Sequence, residues 1–314
     1  MPHALAIERF ASDALRSYAL DVERLTLVAD TWNVTFRALT ISGQAYAVRV
    51  YRPDRRSDDE IRTEVVWMEA LAAEGIIRVP RPIRAADGSP FVRDRRSSPH
   101  RVAVFSWLGG EKLGDDPARE LVPAFGEGVA RLHEHARSFS TVRGLRTWDR
   151  PFPHGGGAVF DDANGDVVDA TARSTFERAF TESDAAIGRL RRSEPPRIVH
   201  GDLHQDNVLV EADGLSFIDF DDCALAWPVQ DLGVVMWEVG EDEMAWPYRD
   251  AFREGYERVA PWPERWPGEI DTFAAARALL KADDSVRMRS EPDVAAHVRR
   301  RAQAVARILD LRQT

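Results

Sequence analysis

Apolar positions along this chain change their period near residue 107. Before it they alternate in short runs; after it they recur every three or four places. Leu5, Phe10, Ala14, Leu15 and Tyr18 fall at helical spacing and predict an opening helix over residues 4–20. Strand-like runs follow at 25–29, 34–39 and 45–51, separated by the turn clusters Asp30-Thr31-Trp32-Asn33 and Ser42-Gly43-Gln44, and Pro53 ends the third. Ile61, Val65, Met68 and Leu71 make the stripe of a helix over 58–73, capped by Ser57 or Asp58 and closed by Gly75. Val79-Pro80-Arg81-Pro82 reads as an extended linker, and 90–92 and 102–107 as two more strands. Beyond the break Leu108-Gly109-Gly110, helices are predicted over 121–139, 171–192, from 229 to about 240, 268–288 and 293–311. No internal repeat interrupts this order. The expected organisation is a β-rich lobe, residues 1–107, followed by a larger helical lobe, residues 108–314.

Composition narrows the classes. With 314 residues and 44% apolar content the chain can bury a sizeable core. A net charge of −10 argues against a nucleic-acid partner. Cys223 is the sole cysteine, so no internal disulfide forms, which suits a reducing cytoplasm. No long apolar run predicts a signal peptide or membrane span, and nothing in the sequence sets the oligomeric state.

The chemistry concentrates in His200-Gly201-Asp202-Leu203-His204-Gln205-Asp206-Asn207, followed by Ile218-Asp219-Phe220. Between them the chain reads as a hairpin turning at Asp213-Gly214. That turn sets Val208 against Asp219 and leaves Asn207 beside Asp219 at the open end. Facing side chains in such a ladder lie roughly 5 Å apart, which suits two oxygen ligands on one hard cation such as Mg²⁺. Asp202, on the entering loop, can act as a base or orient a hydroxyl. A zinc site on His200 and His204 is the competing reading, but these histidines sit in a loop and lack the helical geometry of H-E-x-x-H.

These motifs resemble the catalytic core of the kinase-like phosphotransferases, in the aminoglycoside phosphotransferase, choline kinase and homoserine kinase branch. The resemblance implies an α+β, bilobal, protein-kinase-like fold. It makes Asp202 the catalytic base, Asn207 and Asp219 the metal ligands, and ATP and Mg²⁺ the cofactors. It also implies a cation on the third strand to hold phosphates. Here that place is Arg49, where the family has lysine, and Glu64 is its expected partner. Asn33 and Thr35 lie in the turn that should cover the phosphates, although it contains no glycine. Ser106, Trp107 and Leu108 take the hinge position, where adenine is expected to bind.

Asp219-Phe220-Asp221 stands where a protein kinase has D-F-G, and Asp221 and Asp222 could serve a second cation, an amino group of the acceptor, or plain structure. Asp231 looks like the acid that braces the catalytic loop, with His200 and His204 in the same scaffold. The interval from Asp219 to Asp231 holds no activation segment, so the expected partner is a small-molecule hydroxyl acceptor, near Glu238, Glu241, Asp242 and Glu243. The loop containing His154-Gly155-Gly156-Gly157, whose glycines suggest mobility, would form part of its rim. The competing functions are a nucleotide-binding pseudokinase, which Arg49 favours, and a protein Ser/Thr kinase.

Overall fold

Alternation in the first third of the chain builds one antiparallel sheet. The computed structural model describes residues 2–53, 55–93, 99–114, 117–153, 155–238, 248–289 and 292–311. Strands β1 (Val22–Asp30), β2 (Val34–Thr40), β3 (Ala45–Tyr51), β4 (Pro82–Ile83), β5 (Val92–Arg93) and β6 (Arg101–Ser106) pair in the order β1-β2-β3-β6-β4, with β5 also on β6. The expected linker at Pro82 is thus a short edge strand, a place that tolerates proline because one side makes no ladder. Period-two burial along β2 and β3 puts Val34, Phe36, Ala38, Val48 and Val50 on one face. Helix α1 (Pro2–Leu15) covers that face with Ile7, Ala11, Ala14 and Leu15. Just after it, Tyr18 is buried and donates its hydroxyl to Val102 O at 2.7 Å.

Helix α2 (Asp58–Glu74) begins with a capping box, Ser57 and Glu60 each satisfying the other's backbone N–H. Gly75, at φ 64°, ends it. Ile61, Glu64, Val65, Met68 and Leu71 are buried along one side. Trp67 packs edge-on against Phe220, ring centroids 5.4 Å apart, and Thr63 Oγ1 donates to Arg143 O at 2.7 Å.

Two compact units result. The first holds Met1–Glu111, Phe139–Leu145 and Glu211–Asp221; the second holds Lys112–Ser138, Arg146–Val210 and Asp222–Thr314. The second contains β8 (Arg197–Val199) paired antiparallel with β11 (Ala224–Ala226), and β11 was not expected from the sequence. Each is only three residues, too short to show alternation. Its helices are α3 (Leu121–Ser138), α4 (Ala170–Ser193), α5 (Pro228–Glu238), α6 (Arg249–Glu257), α7 (Glu269–Met288) and α8 (Val294–Leu311). Helix α6 was not expected either; its nine residues hold only a few apolar positions. Three short strands remain: β7 (Glu111–Lys112), β9 (Val208–Glu211) and β10 (Gly214–Phe217).

Glycine permits two close approaches inside the second unit. A Cβ on Gly126 of α3 would stand 2.0 Å from Phe252 O, and one on Gly255 of α6 would stand 1.9 Å from Pro123 O. These bare backbones let α3 and α6 pack without side chains between them.

Candidate functional site

Arg49 is placed by the β3 register, opposite Thr35 on β2 and Ala103 on β6. Its guanidinium forks between two carboxylates. Nη1 donates to Glu64 Oε1 at 2.9 Å and Nη2 to Asp219 Oδ1 at 2.6 Å. Glu64 has no exposed side-chain surface, Arg49 14% and Asp219 44%. Tyr51 donates its hydroxyl to the other oxygen of Glu64 at 3.0 Å. Burial works against the charge on Arg49, but Asp219, Asp221 and Glu64 hold it protonated well above its ordinary range. Glu64 is pushed upward by burial, with Arg49 opposing.

Asp219 has φ 67°, a left-handed backbone that short polar residues adopt more readily than others. Asn33 is buried in the turn between β1 and β2, and its carboxamide nitrogen donates to Asp221 Oδ2. Asp221 is thus tied to an asparagine, a partner the sequence did not suggest. The glycine-free turn is braced further by the Arg52–Asp30 ion pair and by Arg55, 3.8 Å over the Trp32 ring. Thr35 faces Arg49 across the ladder. Ser106 Oγ accepts from Arg81 N at 2.8 Å, Trp107 N donates to Ala45 O at 3.2 Å, and Arg37 lies 5.1 Å over the Trp107 ring. Ser106 and Leu108 border a cavity of about 420 Å³ with Ala72, Ile77, Val79 and Arg81.

The second unit carries the other motif. Gly201, at φ 86°, lets the chain turn where a Cβ would meet Asp222 O at 2.3 Å. Asp231 is fully buried and accepts from His200 N at 2.9 Å, Gly201 N at 2.8 Å and His133 Nε2 at 3.3 Å. It therefore fixes the backbone just before Asp202. Asn207 Nδ2 donates to Asp202 O at 2.8 Å and closes the loop, with His204 Nε2 3.1 Å away. That commits the nitrogen of Asn207 and leaves its Oδ1 as the atom able to meet a cation. Asp202 is 19% exposed and takes a hydrogen bond from Arg277 on α7. Burial raises its carboxyl, but Arg277, His204 and Lys281 outweigh that and hold it well below the usual carboxylate range. No local pattern marks Arg277 or Lys281, which act on Asp202 from a helix 75 and 79 residues downstream.

The hairpin turns one place earlier than expected. Ala212 and Asp213 separate β9 from β10, and Gly214, at φ 135°, opens the return strand. The counting that set Val208 against Asp219, and Asn207 beside it, therefore no longer holds. The two belong to different units, Asn207 to the second and Asp219 to the first. As donors both supply hard oxygen, which fits Mg²⁺ better than zinc. Among the acids expected near the acceptor, Glu241, Asp242 and Glu243 lie outside the described residues, as does the side chain of Glu238. His154 is also outside them, but Gly157 N and Val159 N in the same loop donate to buried Asp283 at 2.9 and 3.1 Å, anchoring a segment whose glycines suggested mobility. No described helix is long and apolar enough to cross a membrane.

A family model described as "Phosphotransferase enzyme family" matches residues 24–266. Amicoumacin kinase of Bacillus subtilis is 22% identical over 289 residues, covering 87% of this chain and 83% of the relative. Serine/threonine protein kinase RdoA of Salmonella typhimurium is 26% identical over 247 residues, covering 74% and 68%. Among solved structures, amicoumacin kinase hAmiN in complex with AMP-PNP, Ca²⁺ and Ami superposes with a TM-score of 0.73 at 19% identity, covering 97% of this chain and 96% of that one.

Proposed function

Because this chain belongs to the phosphotransferase enzyme family, we propose that it moves the γ-phosphoryl group of ATP to a hydroxyl of a small molecule, with Mg²⁺. The observation that carries this reading is the closed loop in which Asn207 holds the carbonyl of Asp202 and Asp231 holds the backbone before it. Such bracing fixes one carboxylate and one carboxamide oxygen, the two groups that phosphoryl transfer needs from this loop.

Asp202 orients the acceptor hydroxyl and accepts its proton as the new O–P bond forms and the bond from the γ-phosphorus to the bridging oxygen breaks, releasing ADP. Its low proton affinity suits a late transfer, with positioning supplying most of its effect. Arg49, aimed by Glu64, grips the donor phosphates, with Asn33 in the covering turn and Thr35 on β2 across the ladder from Arg49. Ser106, Trp107 and Leu108 seat the adenine. Asn207 and Asp219 would hold Mg²⁺, which neutralises charge on the phosphates when bound. The hAmiN complex, with its nucleotide analogue and divalent cation, supports a nucleotide–metal pair. A cytoplasmic location, where ATP is supplied, belongs to the same proposal.

The test is turnover and binding in two variants. Asp202→Ala should lose at least a hundredfold in kcat with nucleotide affinity within about threefold. Asp219→Ala should weaken ATP binding with Mg²⁺ more than metal-free binding. Nucleotide binding with no turnover on any hydroxyl acceptor would instead mark a sensor. RdoA favours one second reading, a protein hydroxyl as acceptor. Transfer to a protein substrate faster than to every small molecule would establish it.

A further inference from the structure

Two basic side chains of one helix, Arg277 and Lys281, stand on the Asp202 side of the second unit. Arg277 is 8% exposed and donates to Asp202 Oδ1. It also lines a cavity of about 40 Å³ whose apolar sides include Trp148, Pro151, Phe273 and Leu280. Among the described residues that line it, the other polar groups are Arg150 and Gln230, and none is a carboxylate. Gln230 is committed, its Nε2 donating to Trp148 O and its Oε1 accepting from Trp227 N, both at 3.1 Å. Arg150 is 71% exposed and lies 3.7 Å from Asp149. Lys281, one helical turn beyond Arg277, adds a second positive charge felt at Asp202.

We propose that this cavity takes a carboxylate of the acceptor, gripped by Arg277, so that the substrate is a small hydroxy acid or hydroxy amino acid. The inference rests on the phosphotransferase reading of Asp202. A guanidinium presents five donors in a planar fork and can serve a protein carboxylate and a ligand carboxylate together. A buried cation beside the acceptor attracts an anion and repels an ammonium group. Size agrees. The volume holds about three waters, enough for a carboxylate with an adjoining carbon. Arg277 thereby ties acceptor binding to the orientation of the base.

The experiment uses the full chain and two matched acceptor pairs, homoserine with 3-aminopropan-1-ol and serine with ethanolamine, each pair differing only by a carboxylate. Kinetics are measured with ATP and Mg²⁺, and binding by calorimetry with a non-hydrolysable ATP analogue. The acid of at least one pair is expected to have a kcat/KM at least tenfold above its partner, carried by KM. Arg277→Gln should erase that ratio, and Arg277→Lys, which keeps the charge without the fork, should retain part of it. A ratio of one, a preference for the amino alcohols, or equal losses on both members in Arg277→Gln overturns the proposal. So does failure of both acids to bind. If the acids bind tenfold better but no phosphoryl moves, the carboxylate site stands and the phosphotransferase reading fails. If Arg277→Gln does not fold, the wild-type ratio and Arg277→Lys decide.

Discussion

Arg49 and Asp219 are joined by a 2.6 Å charge-assisted hydrogen bond, while the same guanidinium holds fully buried Glu64 at 2.9 Å. One fork thus connects a strand, a helix and the proposed metal ligand. Lysine, with a single ammonium, cannot meet two carboxylates with a planar fork. Arg49→Met leaves Glu64 buried without its cation, at a cost of about 3–5 kcal/mol. The expected Tm loss is roughly 6–20 °C, with KM for ATP raised at least tenfold. Arg49→Lys should recover most of the Tm. Thermal melts and ATP titrations that leave the Met variant unchanged would remove Arg49 from both roles.

Asn33 and Asp221 should behave as one unit. If their contact holds the covering turn in place, Asn33→Ala, Asp221→Ala and the double variant raise KM for ATP by similar factors. A double-mutant cycle would then return a coupling of about 0.5–3 kcal/mol. A second-metal role for Asp221 makes a different mark: its variant alone would shift the Mg²⁺ concentration for half-maximal rate.

Asp231 gives a pH dependence with a definite sign. Burial raises its carboxyl, but His133, His200 and the Gly201 N–H outweigh burial and hold it below its ordinary value. Its unfolded form binds the proton more readily, so its stabilisation is complete above the ordinary carboxylate pKa of about 3.9 and fades as pH falls below it. Asp231→Asn puts a donor where three donors converge and should cost about 1–3 kcal/mol at pH 7. Melting curves from pH 7 to 3 should show the two proteins converging in acid. A gap constant with pH would contradict this assignment.

Gly126→Ala and Gly255→Ala test the α3–α6 contact. Alanine favours a helix by up to about 1 kcal/mol over glycine. Each Cβ would, however, overlap a backbone carbonyl, at 2.0 and 1.9 Å. Overpacking of that kind costs typically 1–3 kcal/mol, and here the obstacle is main chain. Both variants should lose stability in denaturant titrations; a gain in either would show that the helices separate easily.

Much of this was legible because the relevant signals are local. The capping box at Ser57, the alternation of β2 and β3, and the loop from His200 to Asn207 are each written within a few neighbouring residues. The hairpin tip was misplaced by one because Asp213-Gly214 is a strong turn pair, yet Gly214 serves the return strand while Ala212 and Asp213 turn. Helix α6 was missed because its fit on α3 relies on glycine rather than on a long apolar stripe. Arg277 on Asp202, Asn33 on Asp221 and His133 on Asp231 bring together residues 75, 188 and 98 positions apart. Nothing in a local pattern marks such pairs, since a charged or amide residue on a helix or turn reads as solvated until the fold supplies its partner.

The left-handed backbone at Asp219 restricts what descendants of this chain can place there. Alanine would remove the carboxylate and also strain the main chain; asparagine alone keeps both the shape and an oxygen. A lineage that abandons catalysis while retaining its architecture therefore has an easy exit through asparagine. Aspartate at that bend keeps the carboxylate that Arg49 holds as well as the oxygen.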